Sequence, residues 1–488
     1  MNLTKFFIDQ HGCAKNQTDG ELIAGFLLKK GYELTLNADE ADFIFVNSCG
    51  FIESAKKESI DAIYDIKKAY PTAKIILTGC LAERYANQLF DAMPELDGVF
   101  GNGDLSKIAD FMDSVSKERA VETFAQKGVC GGERPVLFNF KGSAFVKITE
   151  GCSNHCSFCA IPLIRGELRS RNEDVILKEI KSLAQDGIYE INLIGQDLAA
   201  YGTDTGTSLS VLLKKIAEIP GDFIVRPLYI HPDHFTDDII EAIKSSPRLL
   251  PYFDIPFQSA DDKIIVAMNR TGSYSQYASL VQKIRAELPN SVLRTTFLTG
   301  FPGETADAAE NTARFLQEIR PDWSGCFPYS REEDTPAYSF KGRVSAKTAR
   351  QRADRLEELQ RGITAQRLQS YVGAEISVLV EEIVAGGSSA QNALATQNDL
   401  GGGEPGELVD SEVNNEGLAI GRAWFQAPEV DGSVVIRFDL DDSNAVEAVK
   451  PGNVVSVKVL ASTGVDLDSR FIKIFRKMPE NSERKFIS

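Results

Sequence analysis

Short apolar runs set between longer amphipathic stretches divide the chain into three parts. Phe6–Asp9, Phe43–Asn47 and Lys74–Thr78 are short and apolar enough to be strands buried on both faces. Glu21–Lys30 and Glu53–Ala69 between them read as helices. This alternation predicts a small doubly wound α/β domain over residues 1–125. A connector, Asn102–Lys141, leads out of it. From Ser143 a strand-then-helix unit repeats. The predicted strands are Ala144–Ile148, Glu190–Ile194, Ile224–Ile230, Tyr252–Pro256, Val292–Leu298 and Gly325–Tyr329. The predicted helices are Asn172–Gln185, Leu209–Ile219, Asp237–Ser245, Ser275–Leu288 and Ala306–Ile319. Such units predict a partial (β/α)6 barrel over 138–370, with its chemistry at the carboxyl ends of the strands. Val344–Ser370 reads as a long charged helix that joins the barrel to the C-terminal part. Beyond it, Glu375–Val380, Leu418–Ala423, Val434–Phe438 and Val454–Leu460 predict a small antiparallel, OB-like β-barrel over 371–478. Ala385–Asn415, rich in Gly, Ser, Asn and Gln, interrupts it and reads as a long mobile loop or partly disordered insertion.

Length and composition agree with several globular domains: 488 residues, 43% hydrophobic and 25% charged. The net charge of −17 speaks against a generally basic surface gripping nucleic acid, DNA included. The excess is concentrated: Tyr371–Arg470 carries 17 Asp and Glu against 5 Lys and Arg. An OB-like module needs a basic groove to follow phosphates, so this one is better matched to a lysine- and arginine-rich protein. The first residues carry no apolar signal region and no run is long enough to span a bilayer, so a cytoplasmic protein without a membrane partner is expected. In a reducing compartment its eight cysteines are better metal ligands than disulfide partners.

Three of them, Cys152, Cys156 and Cys159, stand at C-x3-C-x2-C spacing in E-G-C-S-N-H-C-S-F-C. Three thiolates on one tight loop hold three corners of a cubane iron–sulfur cluster and leave one iron open. Zinc is the alternative, with His155 as a fourth ligand, but His155 lies inside the loop, where reaching the same metal is strained. The spacing, with Phe158 before the last cysteine, resembles the radical S-adenosylmethionine (SAM) signature. That resemblance implies SAM on the open iron and Phe158 against its adenine. Cys13, Cys49 and Cys80 each follow a predicted parallel strand, so all three are expected along one sheet edge. They read as the ligands of a second cluster, again with three protein ligands. Three ordinary buried cysteines are the alternative. Cys130 and Cys326 read as incidental and core.

At the predicted strand ends, Gly195, Gln196 and Asp197 occupy the position that the radical SAM resemblance assigns to the SAM amino group. Arg294 and Thr296, with the turn G-F-P-G-E-T, are expected to border its ribose and carboxylate. Each also reads as a loop cap or turn former. His231 and His234 read as loop residues, since no partner is identifiable in sequence.

The three parts together resemble the methylthiotransferases, which join a three-cysteine cluster domain, a radical SAM partial barrel and a C-terminal TRAM domain. The matching stretches are H-G-C-A-K-N-Q-T-D, N-S-C-G-F-I-E-S-A-K-K-E-S, T-G-C-L-A-E-R-Y, the radical SAM loop and R-T-T-F-L-T-G-F-P-G-E-T. D-I-P-F-Q at Asp254–Gln258, A-I-G-R-A-W-F-Q-A-P-E-V-D-G at Ala419–Gly432 and the acidic C-terminal domain resemble the RimO-type branch. That branch methylthiolates the β-carbon of an aspartate in small-subunit ribosomal protein S-twelve. Q-S-A and M-N-R within Gln258–Arg270 are closer to the alternative branch, which modifies a tRNA adenosine. The resemblance implies two [4Fe-4S] clusters, SAM, an external electron donor, and S-twelve docked on the acidic TRAM domain.

Overall fold

The computed structural model describes residues 3–124, 128, 131–386, 415–479 and 484–487; Cys130 and nearly all of Ala385–Asn415 lie outside them. The first unit is a wholly parallel sheet of β1 (Lys5–Gln10), β2 (Glu33–Leu34), β3 (Phe43–Ser48), β4 (Lys74–Thr78), β5 (Gly98–Phe100) and β6 (Ala120–Glu122). Its strand order is β2-β1-β3-β4-β5-β6. Helices α1 (Ala14–Lys30), α2 (Glu53–Ala69), α3 (Gly79–Ala92) and α4 (Ile108–Val115) complete the unit. Phe45, Val46, Ile76 and Leu77 are fully buried, as strands covered on both faces must be. Helix α1 begins seven residues earlier than the apolar pattern predicts. Its first turns carry Asn16, Gln17, Thr18, Asp19 and Glu21, all buried. Asn16 bonds the strand ends of its own sheet while Asp19 and Glu21 pair with cations beyond the unit, so hydrophobic periodicity gives no sign of them.

The connector contributes β7 (Val136–Leu137). The barrel then runs through β8 (Ser143–Lys147), β9 (Thr149–Glu150), α5 (Ile161–Arg165), β10 (Arg169–Ser170), α6 (Glu173–Gln185), β11 (Glu190–Ile194), α7 (Leu209–Ala217) and β12 (Ile224–Pro227). It continues through α8 (Asp237–Lys244), β13 (Tyr252–Asp254), α9 (Asp262–Ala267), α10 (Tyr274–Glu287), β14 (Val292–Thr299), α11 (Ala306–Ile319) and β15 (Trp323–Pro328). Two three-stranded parallel sheets, β8-β11-β12 and β13-β14-β15, join where Leu250 N donates to Val225 O and Ile230 N to Asp254 O, both 2.8 Å. Side chains alternate across these strands. Ala144, Val146, Ile191, Leu193, Leu293 and Phe297 belong to the core packed against the outer helices, which leaves the intervening positions to the barrel interior. Strand β12 stops at Pro227, short of the predicted Ile230, because proline has no N–H for the ladder and Tyr229 adopts φ +64°. The long helix α12 (Ala346–Gln369) packs on β15 and β14.

The last unit is a closed barrel, β16-β17-β18-β20-β19, built from β16 (Glu375–Gly386), β17 (Glu416–Ala423), β18 (Val434–Asp439), α13 (Ser443–Ala448), β19 (Val454–Ser462) and β20 (Leu467–Arg476). Strand β20 escapes the sequence pattern because its pairing with β19 shifts register three times, which breaks the apolar alternation. The final strand, β21 (Lys485–Phe486), returns to pair with β7.

This small barrel closes the amino-terminal end of the larger one. Arg422 Nη2 pairs with Glu190 Oε2 at 2.7 Å, and Glu190 also binds Arg226 at 2.6 Å. Arg226 donates to Trp424 O at 2.7 Å and Trp323 Nε1 to Phe425 O at 2.9 Å. Tyr252 OH donates to Asp431 Oδ2 at 2.5 Å. Interior residues Phe145, Ile194, Tyr252 and Trp323 share one continuous apolar cluster with Phe425, Val434 and Val457 of the small barrel. The segment Ala419–Gly432 is therefore an internal stopper.

Candidate active site

Strands β1, β3 and β4 are neighbours, and Cys13, Cys49 and Cys80 follow their carboxyl ends. The edge where β1 and β3 diverge to opposite helices is where such sheets bind ligands. Gly12 makes the approach possible: its φ is +87°, and a Cβ there would stand 3.1 Å from Cys49 Cβ. Cys13 is exposed, Cys49 half-buried and Cys80 buried. Burial pushes the Cys80 thiol up to about 12 despite Arg165, and raises Cys49 too. At Cys13 the neighbouring cations Lys15 and Arg165 hold the thiol below its usual value.

The Cys152–Cys159 loop springs from β8 and is framed by β9 and β10, which pair Glu150 with Arg169. Its middle is pinned by backbone bonds: Ser157 N donates to Met268 O at 3.0 Å and Ala337 N to Ser157 O at 2.8 Å. Ser157 Oγ donates to Ala267 O at 2.7 Å. Phe158 is half-buried among Met268, Leu298 and Phe301. His155, with φ +49°, turns outward and sits 3.6 Å from Glu167. It therefore does not serve as a fourth ligand, and among the described residues no three Cys, His, Asp or Glu side chains could hold a single metal ion. A cubane needs no such convergence, since each thiolate meets a different iron. Burial lifts the Cys152 thiol to about 11 and the Cys159 thiol to about 12, so binding of a metal centre as thiolates would release protons to solvent.

Ion pairs set the two cysteine groups against each other. Arg165 binds Asp19 and Glu150, both at 2.8 Å, and donates to Cys80 Sγ at 3.2 Å. Lys147 closes the ring on Asp19 and Glu150 at 2.5 Å each. All four side chains are buried. Burial alone would raise Glu150, but Arg165 and Lys147 overrule it and hold its carboxyl well below the usual range. A second clamp joins Glu332, beyond β15, to Arg84 at 2.6 Å and Lys56 at 3.0 Å, with Arg84 also donating to Gly50 O beside Cys49. Sequence reasoning missed both sets. Lys147, a lysine inside the apolar run A-F-V-K-I, was the available signal.

The polar residues at the strand ends divide. Gly195 is closely packed: a Cβ there would lie 2.2 Å from Thr149 Oγ1. Thr149 Oγ1 and Gln196 Oε1 are buried and make no hydrogen bond, and Gln196 Nε2 only reaches Glu150 at 3.4 Å. Thr296 alternates into the interior with no competing side-chain partner described. Asp197 differs from expectation. Its four acceptor directions are filled by Ala199 N (3.0 Å), His231 N (3.1 Å), Asn154 Nδ2 (3.0 Å) and His234 Nδ1 (2.6 Å). It ties the cysteine loop to β11 and β12 rather than presenting an open oxygen. Arg294 differs as well. It sits in the amino-terminal half of β14, 3.3 Å from Asp254 and 3.3 Å from Asp431 of the stopper. The two histidines are not idle loop residues, since His231 Nε2 also approaches Cys156 Sγ at 3.8 Å.

Three family profiles match this chain: "Uncharacterized protein family UPF0004" over 5–101, the radical SAM superfamily over 146–316, and a TRAM domain over 405–472. A Treponema denticola protein described as ribosomal protein uS12 methylthiotransferase RimO is 48% identical over 490 residues, covering 95% of this chain and 99% of that one. The chain belongs to the RimO family. A Natranaerobius thermophilus RimO is 37% identical over 463 residues, covering 93% of this chain and 96% of that one. Among solved structures, the radical SAM methyltransferase TsrM of Kitasatospora setae superposes with a TM-score of 0.53 at 13% identity, over 69% of this chain and 74% of that one. That likeness concerns the fold alone. Membership of the radical SAM superfamily brings a [4Fe-4S] cluster and SAM. The described residues fit both: three thiols on one pinned loop, free of disulfides, and two orphaned buried polar atoms, Thr149 Oγ1 and Gln196 Oε1.

Proposed function

We propose that this RimO-family protein transfers a methylthio group to the β-carbon of an aspartate in ribosomal protein uS12. One observation carries the reading beyond family membership. The segment that follows Cys159 packs on the other cysteine group: Ala160 and Ile164 cluster with Cys80, and Arg165 donates to its Sγ. In this reading Cys152, Cys156 and Cys159 hold the SAM-binding [4Fe-4S] cluster. Cys13, Cys49 and Cys80 hold a second. When bound, these groups and SAM supply a carbon radical able to take hydrogen from an unactivated carbon, and a sulfur ready to join it.

The chain itself does the positioning. The Asp19–Lys147–Glu150–Arg165 ring fixes the width of the gap and excludes water from its floor. Asp197, held by His234 and Asn154, sets the cysteine loop against the ends of β11 and β12. Gln196 Oε1 and Thr149 Oγ1 would accept from the SAM amino group, the missing side chain of Gly195 lets Thr149 Oγ1 approach, Phe158 would flank the adenine and Thr296 would border the ribose. Arg294 is assigned instead to holding the stopper.

The exposed acids of the small barrel, Asp439, Asp441 and Asp442, give it a face suited to a basic protein. Docking of uS12 there is part of the proposal, as is a separate electron donor. The test is a paired anaerobic assay in which reconstituted enzyme, SAM and reductant are offered uS12 in one tube and unmodified tRNA in the other. A methylthio mass gain on an aspartate of uS12 is expected; a gain on tRNA adenosine overturns the reading.

A further inference from the structure

We propose that Lys15 receives the carboxylate of the substrate aspartate; this rests on the aspartate reading above. Lys15 is the second residue of α1, two positions after Cys13, yet its side chain leaves its own domain. Its Nζ stands 3.3 Å from the centroid of the Tyr229 ring and 3.4 Å from Gly195 O, at the ends of β12 and β11. The ammonium thus spans the gap from the edge of one cysteine group to the rim that serves the other. Both contacts are weak: one is a cation over a ring face and the other a long hydrogen bond.

The neighbouring cations are matched. Lys147 and Arg165 share Asp19 and Glu150, and Arg294 has Asp254 and Asp431. Among the described residues no carboxylate lies within 4 Å of Lys15. A cation drawn away from bulk water without an anion is costly. The nearest negative charge to Lys15 is the Cys13 thiolate, which a bound cluster would engage; with the carboxylates of the site paired elsewhere, the ammonium is left for an anion from outside. Tyr229 is held beneath it in a conformation rare for a side-chain-bearing residue, φ +64°, with its N–H on Asp254 Oδ2 at 3.3 Å.

The substrate geometry agrees. The β-carbon of an aspartate is bonded directly to its carboxylate carbon. Fixing the carboxylate on Lys15 brings the reacting carbon between the Cys13 side, which offers sulfur, and the Gly195 side, where hydrogen is taken. Asparagine, equal in size but uncharged, gains much less at the same place.

The experiment uses reconstituted wild-type enzyme, Lys15→Met and Lys15→Arg. Each is offered whole uS12 and uS12 whose modified aspartate, located by mass in the wild-type product, is replaced by asparagine. Binding of both proteins, methylthio product, SAM affinity and iron content are measured. Wild type is expected to prefer the aspartate form by about 10-fold or more. Lys15→Met is expected to bind both forms alike and to lose product about 100-fold with iron content intact, while Lys15→Arg recovers part of both. Preserved preference in Lys15→Met overturns the proposal. So does a loss of iron, which makes Lys15 a support of the cluster, or a selective loss of SAM affinity, which assigns the ammonium to the SAM carboxylate. Failure of the aspartate reading shows separately, as wild type that leaves uS12 unmodified.

Discussion

At the scale of single residues, the site is built by saturating some polar groups and leaving others open. Asp197 is the clearest saturated case, and its bond to His234 has a measurable signature. That hydrogen bond raises the His234 pKa above its ordinary value of 6.5, against the opposing pull of burial. The stabilisation is therefore complete below pH 6.5 and is lost as pH rises through the folded-state value. His234 is 43% exposed, so the amount stays under about 1 kcal/mol. Anaerobic denaturation of wild type and His234→Asn should differ most near pH 6 and converge at higher pH. A difference that does not change with pH would remove the charged pair from the account. The cysteines were legible in the sequence because their spacing carries the chemistry. Asp197 was legible as a strand-end acid but not as a saturated one, since its four donors come from three separate segments. Lys15 and Arg165 left no sign, because their meaning depends on what stands opposite them.

At the scale of elements, the stopper between the two barrels shows how a motif acquires its meaning. Ala419–Gly432 read in sequence as a mark of one family branch; in the fold it carries Arg422, Trp424, Phe425 and Asp431 into the base of the larger barrel. Glu190 stands between Arg226 and Arg422, and opposite charges hold its carboxyl well below the usual range although burial opposes them. Glu190→Gln leaves the buried Arg226 without a carboxylate partner and Arg422 with Glu381 alone, and should cost about 3–5 kcal/mol in chemical denaturation. A cost below about 1 kcal/mol would mean that apolar packing alone secures the joint. The same joint trims the charge argument. Asp431, Glu381 and Glu416 face Arg294, Arg422 and Arg437, so part of the acidic excess of this domain is internal. The barrel strands and helices were readable to within a few residues because they obey regular periods. Strand β20 and the first turns of α1 were not, the one for its register shifts and the other for its buried polar face.

At the scale of the whole molecule, the order of three units was legible, because each has its own alternation of apolar and polar positions. Their mutual placement was not, since it rests on ion pairs between residues far apart in sequence, such as Arg165 with Asp19 and Arg84 with Glu332. The placement gives the two cysteine groups separate tasks. Cys80→Ala should retain about half the iron and still cleave SAM, yet yield no methylthio product, as read by iron analysis and mass; product from this variant would refute the division. The stopper has one more consequence. With its lower end sealed by Trp424 and Phe425, the barrel is a blind vessel filled from above. A molecule that entered first would sit deepest and leave last, so a spent nucleoside would be held until the ribosomal protein withdrew. Turnover would then be paced by the departure of the large partner rather than by the bond-making step.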